Sequence, residues 1–357
     1  MTAAPDKLLE LGWDDSWAEL AAACPTPGLP GRVTRVDRGV CTVMTEHGPV
    51  RASWSGALLD AAATDPTTAP CTGDWCVLSC WPDGPVTIQS VLDRRTAVIR
   101  ADANRTSLGQ VLVANVDLIA VVVALHPEPN ISRIERLMTL AWESGARPIV
   151  VLTKLDLVPD GAGLAAEVRA ACPGVDVVAC STVTGAGLDE VRALIGPTGT
   201  VGLIGASGHG KSTLTNALVG AEVLTTKQIR DDGKGRHTSV RRELVPLPGG
   251  GSVIDTPGLR GVGLSDAPAG LAATFPDIEE LAGQCKFRDC SHDSEPGCAI
   301  RTAIADGRLA ERRLDSWFRL QRELAHVAAR SDARLRSEQV KKWKKITQQH
   351  RTPRRGR

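Results

Sequence analysis

Two short motifs occur in an order that few folds can accommodate. Gly205-Ala206-Ser207-Gly208-His209-Gly210-Lys211-Ser212 has the Gly-x4-Gly-Lys-Ser form of a phosphate-binding loop. Thr153-Lys154-Leu155-Asp156 has the form of a guanine-specificity motif, and it lies upstream. In an ordinary GTP-binding chain the phosphate loop comes first. The reversed order points to a circularly permuted GTPase fold.

The flanking pattern agrees. Residues 118–125 are a continuous apolar run, the mark of a strand buried on both faces. Ile131, Ile134, Leu137, Met138 and Ala141 recur at helical spacing. A second buried strand over 148–152, a helix near 163–171, strands over 175–179 and 201–204, and a helix over 211–219 follow. This alternation predicts a doubly wound parallel α/β sheet over residues 106–268. Residues 31–105 differ: segments 31–36, 40–43, 75–81 and 86–88 read as short strands separated by turns. About five strands in such a stretch suggest a small β-barrel of the oligonucleotide-binding (OB-fold) type. Residues 1–30 are loosely patterned and read as an extension. After residue 268 the pattern is helical, giving a zinc-binding helical domain over 269–330 with a long amphipathic helix over 308–330.

The formal net charge of +1 conceals an asymmetry. Residues 331–357 carry ten Lys and Arg against two Asp and Glu, a net of +8, so the remainder sums to −7. A basic tail on a mildly acidic body suggests a polyanionic partner, nucleic acid before membrane. The plain alternative is a solvated terminus. The first twelve residues hold three charged side chains and no signal-peptide core. The longest apolar run falls well short of the ~20 residues that span a bilayer. The expectation is a cytoplasmic monomer with no membrane partner. Its ten Cys are expected as thiols or metal ligands rather than disulfides.

The phosphate loop dictates particular chemistry. Its glycines let the backbone N–H groups of residues 205–210 wrap phosphates, and the helix start adds a favourable dipole. Lys211 reaches the β- and γ-phosphates, Ser212 ligates Mg²⁺, and Thr213 follows on the helix. Asp255-Thr256-Pro257-Gly258 matches the second metal motif, with Asp255 on Mg²⁺ and the Gly258 amide sensing the γ-phosphate. Thr238, in the polar segment 233–239, is the candidate switch threonine that closes over Mg²⁺. Asp156 can accept from guanine N1–H and the 2-amino group, neither of which adenine offers. Two charge-assisted bonds of about 1.5–3 kcal/mol each give roughly 10²–10⁴-fold discrimination. Lys154 is expected along the base plane, and the backbone amides of Ser181 and Thr182 on guanine O6.

Cys285-x4-Cys290-x-His292-x5-Cys298 supplies three thiolates and an imidazole, the donor set of a closed tetrahedral structural zinc site. The plain alternative is reduced thiols in a small helical core. Cys71, Cys76 and Cys80 raise the idea of a second site, but alternation within a strand makes Cys76 and Cys80 core residues.

Together these residues resemble the ribosome small-subunit-dependent GTPase family, also called RsgA or YjeQ. The likeness covers residues 31–330. It includes Gly73-Asp74-Trp75, the permuted order, Gly235-Arg236-His237-Thr238-Ser239, the Asp255 motif and Glu295-Pro296-Gly297-Cys298. The resemblance implies an OB-fold, a permuted GTPase domain and a zinc domain. It also implies GTP hydrolysis to GDP and phosphate, stimulated by the small subunit, and a role late in that subunit's maturation. Two positions depart from the family pattern: His209 stands where a small or apolar residue is usual, and Ser239 where a Thr is usual. The competing readings are a P-loop kinase or ATPase, which Asp156 opposes, a nucleotide-gated rRNA-binding switch with negligible catalysis, and a permuted GTPase acting on the large subunit.

Leu259 follows the Asp255 motif, where Ras-type enzymes carry a water-orienting Gln. Leucine cannot orient water, so slow intrinsic turnover is expected, and His237 is the candidate for positioning the nucleophile. His237→Ala should lower subunit-stimulated turnover far more than GTP affinity. Parallel measurement of both quantities checks this, and an equal loss of each rejects it.

Overall fold

The computed structural model describes residues 6–82, 84–100, 109–222, 242–256 and 268–331. Two short helices, α1 (Asp6–Leu9) and α2 (Asp15–Ala22), precede the barrel. Asp14 starts α2 by accepting from the Trp17 amide. The barrel comprises β1 (Leu29–Asp37), β2 (Val40–Thr45), β3 (Gly48–Trp54), β4 (Trp75–Cys80) and β5 (Val86–Val91). Their order is β1–β2–β3–β5–β4, and β4 returns to pair with β1. Helix α3 (Gly56–Thr64) lies between β3 and β4 in the chain. Val33, Val43, Leu78 and Ile88 are among the residues that fill the interior.

A hairpin, β6 (Ala97–Arg100) and β7 (Gln110–Ala114), leads into the central sheet. The sheet contains β8 (Leu118–Ala124), β9 (Arg147–Thr153), β10 (Asp176–Ala179), β11 (Thr200–Ile204), β12 (Glu243–Pro246) and β13 (Ser252–Asp255). Spatially they run β10–β9–β8–β11–β13–β12, parallel except for β12. Helices α4 (Ile131–Glu143) and α5 (Gly161–Ala171) cover one face, packing on Val121, Val123 and Val150. Helices α6 (Leu188–Ile195) and α7 (Lys211–Val219) cover the other, packing on Ala120, Val122 and Val151. From β8 the chain winds outward through β9 and β10. It then returns to β11 on the other side of β8, goes out to the edge at β12 and comes back to β13 between them. The reversal creates a crevice at the carboxyl ends of β8 and β11, where doubly wound sheets bind ligands.

The C-terminal region consists of α8 (Pro268–Thr274), α9 (Pro276–Ala282), α10 (Ala299–Ala305) and α11 (Glu311–Ser331). It docks on α4 through a buried arginine. Arg313 reaches Asp277 on α9, Glu135 on α4, and the carbonyls of Ala171 and Thr274, each of those carbonyls at 2.9 Å. Its guanidinium also lies over the Phe275 ring, 4.7 Å from the centroid.

The barrel is attached in the same manner. Arg32 on β1 is 2 % exposed. It donates to Thr200 Oγ1 at 2.8 Å, to the Asn115 carbonyl at 2.7 Å, to the Gly73 carbonyl at 3.3 Å and to the Leu11 carbonyl. One guanidinium therefore joins extension, barrel and central sheet. Trp75 packs under it, with Trp13 at 4.9 Å and Trp17 at 6.0 Å between ring centroids. The Gly73-Asp74-Trp75 motif is explained here. Gly73 has φ +99°, and a Cβ on it would fall 2.0 Å from the Ala114 carbonyl oxygen. Asp74 accepts a two-pronged bond from Arg94, both contacts 2.7 Å.

Two sequence expectations change. Residues 1–30 read as a loose extension, yet Leu8, Leu11 and Trp17 are buried against the barrel and sheet. Cys76 is core as expected, whereas Cys80 is exposed at the strand end. Cys76 and Leu78 face the barrel core together, and Cys80, the last residue of the strand, lies past the end of that core.

Replacing Arg32 by Met strips its donor from the Leu11 and Asn115 carbonyls and from the Thr200 hydroxyl, while the Gly73 carbonyl keeps Asn115 Nδ2. Arg32→Met should cost about 3–5 kcal/mol. Urea unfolding measures it, and a loss below about 1 kcal/mol would show that the junction does not need the guanidinium.

Candidate nucleotide and metal sites

The phosphate loop leaves β11 and enters α7, spanning the crevice. Gly205 has φ +151°, and a Cβ there would sit 2.3 Å from the Val122 carbonyl oxygen, so only glycine lets the loop pass β8 this closely. Lys211 is buried, and its Nζ donates to the Gly205 and Ala206 carbonyls at 3.1 and 2.9 Å. Burial lowers its pKa, with Asp255 opposing.

Ser212, on the first turn of α7, donates to Asp255 Oδ2 at 2.6 Å. The other carboxylate oxygen, Oδ1, is buried with no hydrogen-bond partner among the described residues. Burial raises the Asp255 pKa, opposed by the Ser212 hydroxyl and by Lys211. An orphaned, buried carboxylate oxygen beside a hydroxyl is a donor arrangement that fits a hard divalent cation. Thr256 is anchored by a bond from its hydroxyl to the Leu203 carbonyl.

The motif beginning at Thr153 ends β9. Thr153 Oγ1 donates to the His209 carbonyl at 2.7 Å, tying this motif directly to the phosphate loop. Lys154 adopts φ +61°, and Asp156 sits exposed in the single 3₁₀ turn Leu155–Leu157. The loop after β10 is zipped alongside by the bond from the Leu155 amide to the Cys180 carbonyl, 3.1 Å. Ser181 Oγ donates to Asp156 Oδ1 at 2.6 Å and accepts from the Val183 and Thr184 amides. The sequence reading put the Ser181 amide on the base. In the structure that amide donates to the Ala186 carbonyl at 2.9 Å, and Ser181 contributes its hydroxyl, which orients Asp156. Thr182 stands beside it, half-buried.

His209 turns its ring toward β8, with Nδ1 3.2 Å from the Val122 carbonyl. That carbonyl can only accept, so the bond requires a proton on Nδ1. Burial lowers its pKa, helped by the charges of Arg133, Lys211 and Lys154. His237, Thr238, Gly258 and Leu259 lie outside the described residues.

The second cluster sits between α9 and α10. The ligand atoms of Cys285, Cys290, His292 and Cys298 all lie within 4.8 Å of one another. Cys285 Sγ and Cys298 Sγ are 3.6 Å from His292 Nδ1 and 4.0 Å from each other. A tetrahedron with metal–sulfur bonds of ~2.3 Å has edges near ~3.8 Å, so these donors fit one tetrahedral metal ion. Glu295, quoted above only as part of a motif, organises the loop. It accepts from the Ser291, Asp293 and Ser294 amides at 3.0–3.2 Å, and bonds led by the Ser291 hydroxyl hold its carboxyl down to about 2.

Known proteins share both the sequence and the architecture. Residues 91–265 match the family model described as RsgA GTPase. The small ribosomal subunit biogenesis GTPase RsgA of Streptomyces coelicolor is 50% identical over 344 residues, spanning 95% of this chain and 92% of that protein. The chain belongs to the RsgA GTPase family. It is thus a GTP hydrolase. The crystal structure of YjeQ from Thermotoga maritima matches with TM-score 0.62 and 25% identity, over 83% of this chain and 98% of that one. The crystal structure of YloQ, a circularly permuted GTPase, shares the fold with TM-score 0.58 and 23% identity, over 83% of this chain and 94% of that one. The fold is therefore the expected one: a five-stranded barrel, a permuted GTPase domain and a helical C-terminal region bearing the Cys₃His cluster. No helix among the described residues is long and apolar enough to cross a membrane.

A raised pKa means that Asp255 takes up its proton at higher pH than an ordinary Asp. Cation binding needs the carboxylate, so it is complete above the raised value and is lost on acidification, starting above the ordinary Asp value of 3.8. Titrating magnesium-dependent GDP affinity against pH should show this fall, and Asp255→Asn should abolish it. A wild-type affinity that stays flat down to pH about 4 would reject the assignment.

Proposed function

We propose that this chain binds GTP in the β8–β11 crevice and hydrolyses it in contact with the small ribosomal subunit, late in that subunit's maturation. The observation that carries the proposal is the bond from Thr153 to the His209 carbonyl, which places a guanine-type motif against a phosphate loop. Asp156, oriented by Ser181, accepts from the guanine edge, Lys154 lies along the base and Thr182 borders the same loop. The loop amides from Gly205 to Gly210, with Lys211 and Thr213, hold the phosphates. Ser212 and Asp255 hold Mg²⁺, joined by Thr238 when the γ-phosphate is present, and Gly258 senses that phosphate. A magnesium ion held by these residues would neutralise phosphate charge during hydrolysis. His237 positions the attacking water.

One zinc ion closes the Cys285, Cys290, His292 and Cys298 cluster and gives this small region its fold. The barrel and the basic tail grip ribosomal RNA. The small subunit as target rests on relatives such as the small ribosomal subunit biogenesis GTPase RsgA of S. coelicolor. The same relationship supports action in the cytoplasm; the proposal takes the chain to act as a monomer. Residues 257–267 alone separate Thr256 from α8 in the chain, so the nucleotide state is positioned to bias the zinc-bearing region.

Phosphate release from GTP, measured with the protein alone, with small subunits and with large subunits, tests the proposal. Strong stimulation by small subunits only is expected. Stimulation by large subunits instead would move the target, and tight GTP binding without stimulation by either would replace the enzyme with a binding switch.

A further inference from the structure

Outside the nucleotide crevice, α4 and α11 enclose a groove of about 240 Å³. The hydrogen bond between Ser132 Oγ and Ser316 Oγ, 2.9 Å, crosses between its walls. Three arginines line it, Arg133, Arg136 and Arg319, against one acid, Glu323. Arg136 is already committed, with Nε and Nη2 gripping both Glu323 oxygens at 2.6–3.2 Å. Arg133 and Arg319 are exposed, and among the described residues neither guanidinium has an ion pair or a side-chain hydrogen bond. The groove therefore keeps two uncompensated positive charges. The N-terminus of α4, capped by Asn130, opens onto the same surface and adds its dipole.

Two free guanidiniums beside hydroxyl groups suit an oxyanion. A phosphodiester and an acidic protein surface both offer one. What continues beyond the groove favours the phosphodiester. Helix α11 runs from Arg319 on to Ser331, and the tail with its net charge of +8 follows directly. So much positive charge in the adjoining sequence suits a polymer with a charge on every unit rather than an isolated anion.

We propose that the α4–α11 groove holds a phosphodiester segment of small-subunit RNA between Arg133 and Arg319. The inference rests on the ribosomal reading above and adds a contact surface distinct from the barrel and the tail. Arg133 gives it a link to the chemistry, because the same residue lines a neighbouring cavity of about 170 Å³ that His209 of the phosphate loop also lines.

The test uses the full chain with a non-hydrolysable GTP analogue. It is titrated with purified small subunits and with RNA extracted from them, at several salt concentrations. The double variant Arg133→Ala/Arg319→Ala should bind both roughly tenfold more weakly, and its plot of log affinity against log salt should be shallower by about 1.4, the release from two single-strand phosphates. Arg133→Lys/Arg319→Lys should restore the slope, and thermal melting verifies that both variants fold. Unchanged affinity and slope in the double alanine variant would overturn the proposal. So would a loss on subunits with unchanged binding to extracted RNA, since the groove then meets an acidic protein surface. Wild-type protein that binds the RNA but not the subunit sinks the ribosomal reading and leaves the groove to be judged by the variants on RNA. Wild-type protein that binds neither sinks both.

Discussion

A single buried guanidinium fixes how this molecule is assembled. Arg32 is desolvated strongly enough to pull its pKa to about 10, with Asp117 and Asp74 opposing that shift. It is held by carbonyls and a hydroxyl from four separate stretches of chain. Arg313 repeats the device at the opposite attachment, where Glu135 on α4 is fully buried between the sheet and the zinc-bearing region. Buried ion pairs are weak evidence for stability, because desolvation offsets much of the attraction. Their value here is selectivity: only one relative placement of the parts satisfies every donor. Apolar contacts such as Trp75 on Trp13 then add energy to an arrangement already determined.

The permutation costs the site nothing, because the site depends on which strands are neighbours and not on their order in the chain. β11, which carries the phosphate loop, lies between β8 and β13. Asp255 therefore arrives beside Ser212 from one side, and Thr153 beside His209 from the other by way of β9. What the permutation does change is which elements follow the nucleotide motifs. In the sequence, residues 257–267 alone lie between Thr256 and α8, which packs on α4, so the C-terminal region follows the candidate nucleotide site directly in the chain.

Features that are local in sequence were legible. The phosphate loop, the motif at Thr153, the Cys₃His spacing and the apolar strands each lie within a short window, and each took its expected form. Features built from distant partners were not. Arg32 reads as one more charge in an alternating strand, and its partner Thr200 is 168 positions away. Glu135 reads as the polar side of α4, yet it is met by Arg312 and Arg313 from α11. The burial of Leu8, Leu11 and Trp17 was hidden for the same reason, since helices this short show no sustained period. Strand β3 is not singled out by its sequence, because after a Gly-Pro start it holds a single β-branched residue, Val50. The role of Ser181 changed because the tight turn after β10 uses its amide internally.

The barrel and the central sheet also meet edge to edge. β1 pairs with β12 at Arg35 and Glu243, and Thr72 reaches the Arg242 carbonyl across the same seam, so one hydrogen-bonded ladder of eleven strands runs from β10 to the barrel. β12 is the strand by which the chain re-enters the sheet after the segment containing Thr238. A ladder is stiff along its hydrogen bonds and weak only at its narrowest rung. Any displacement of the barrel against the sheet therefore loads the Arg32 and Thr72 contacts along with this bridge, and so acts on the strand that directly follows the Thr238 segment in the chain.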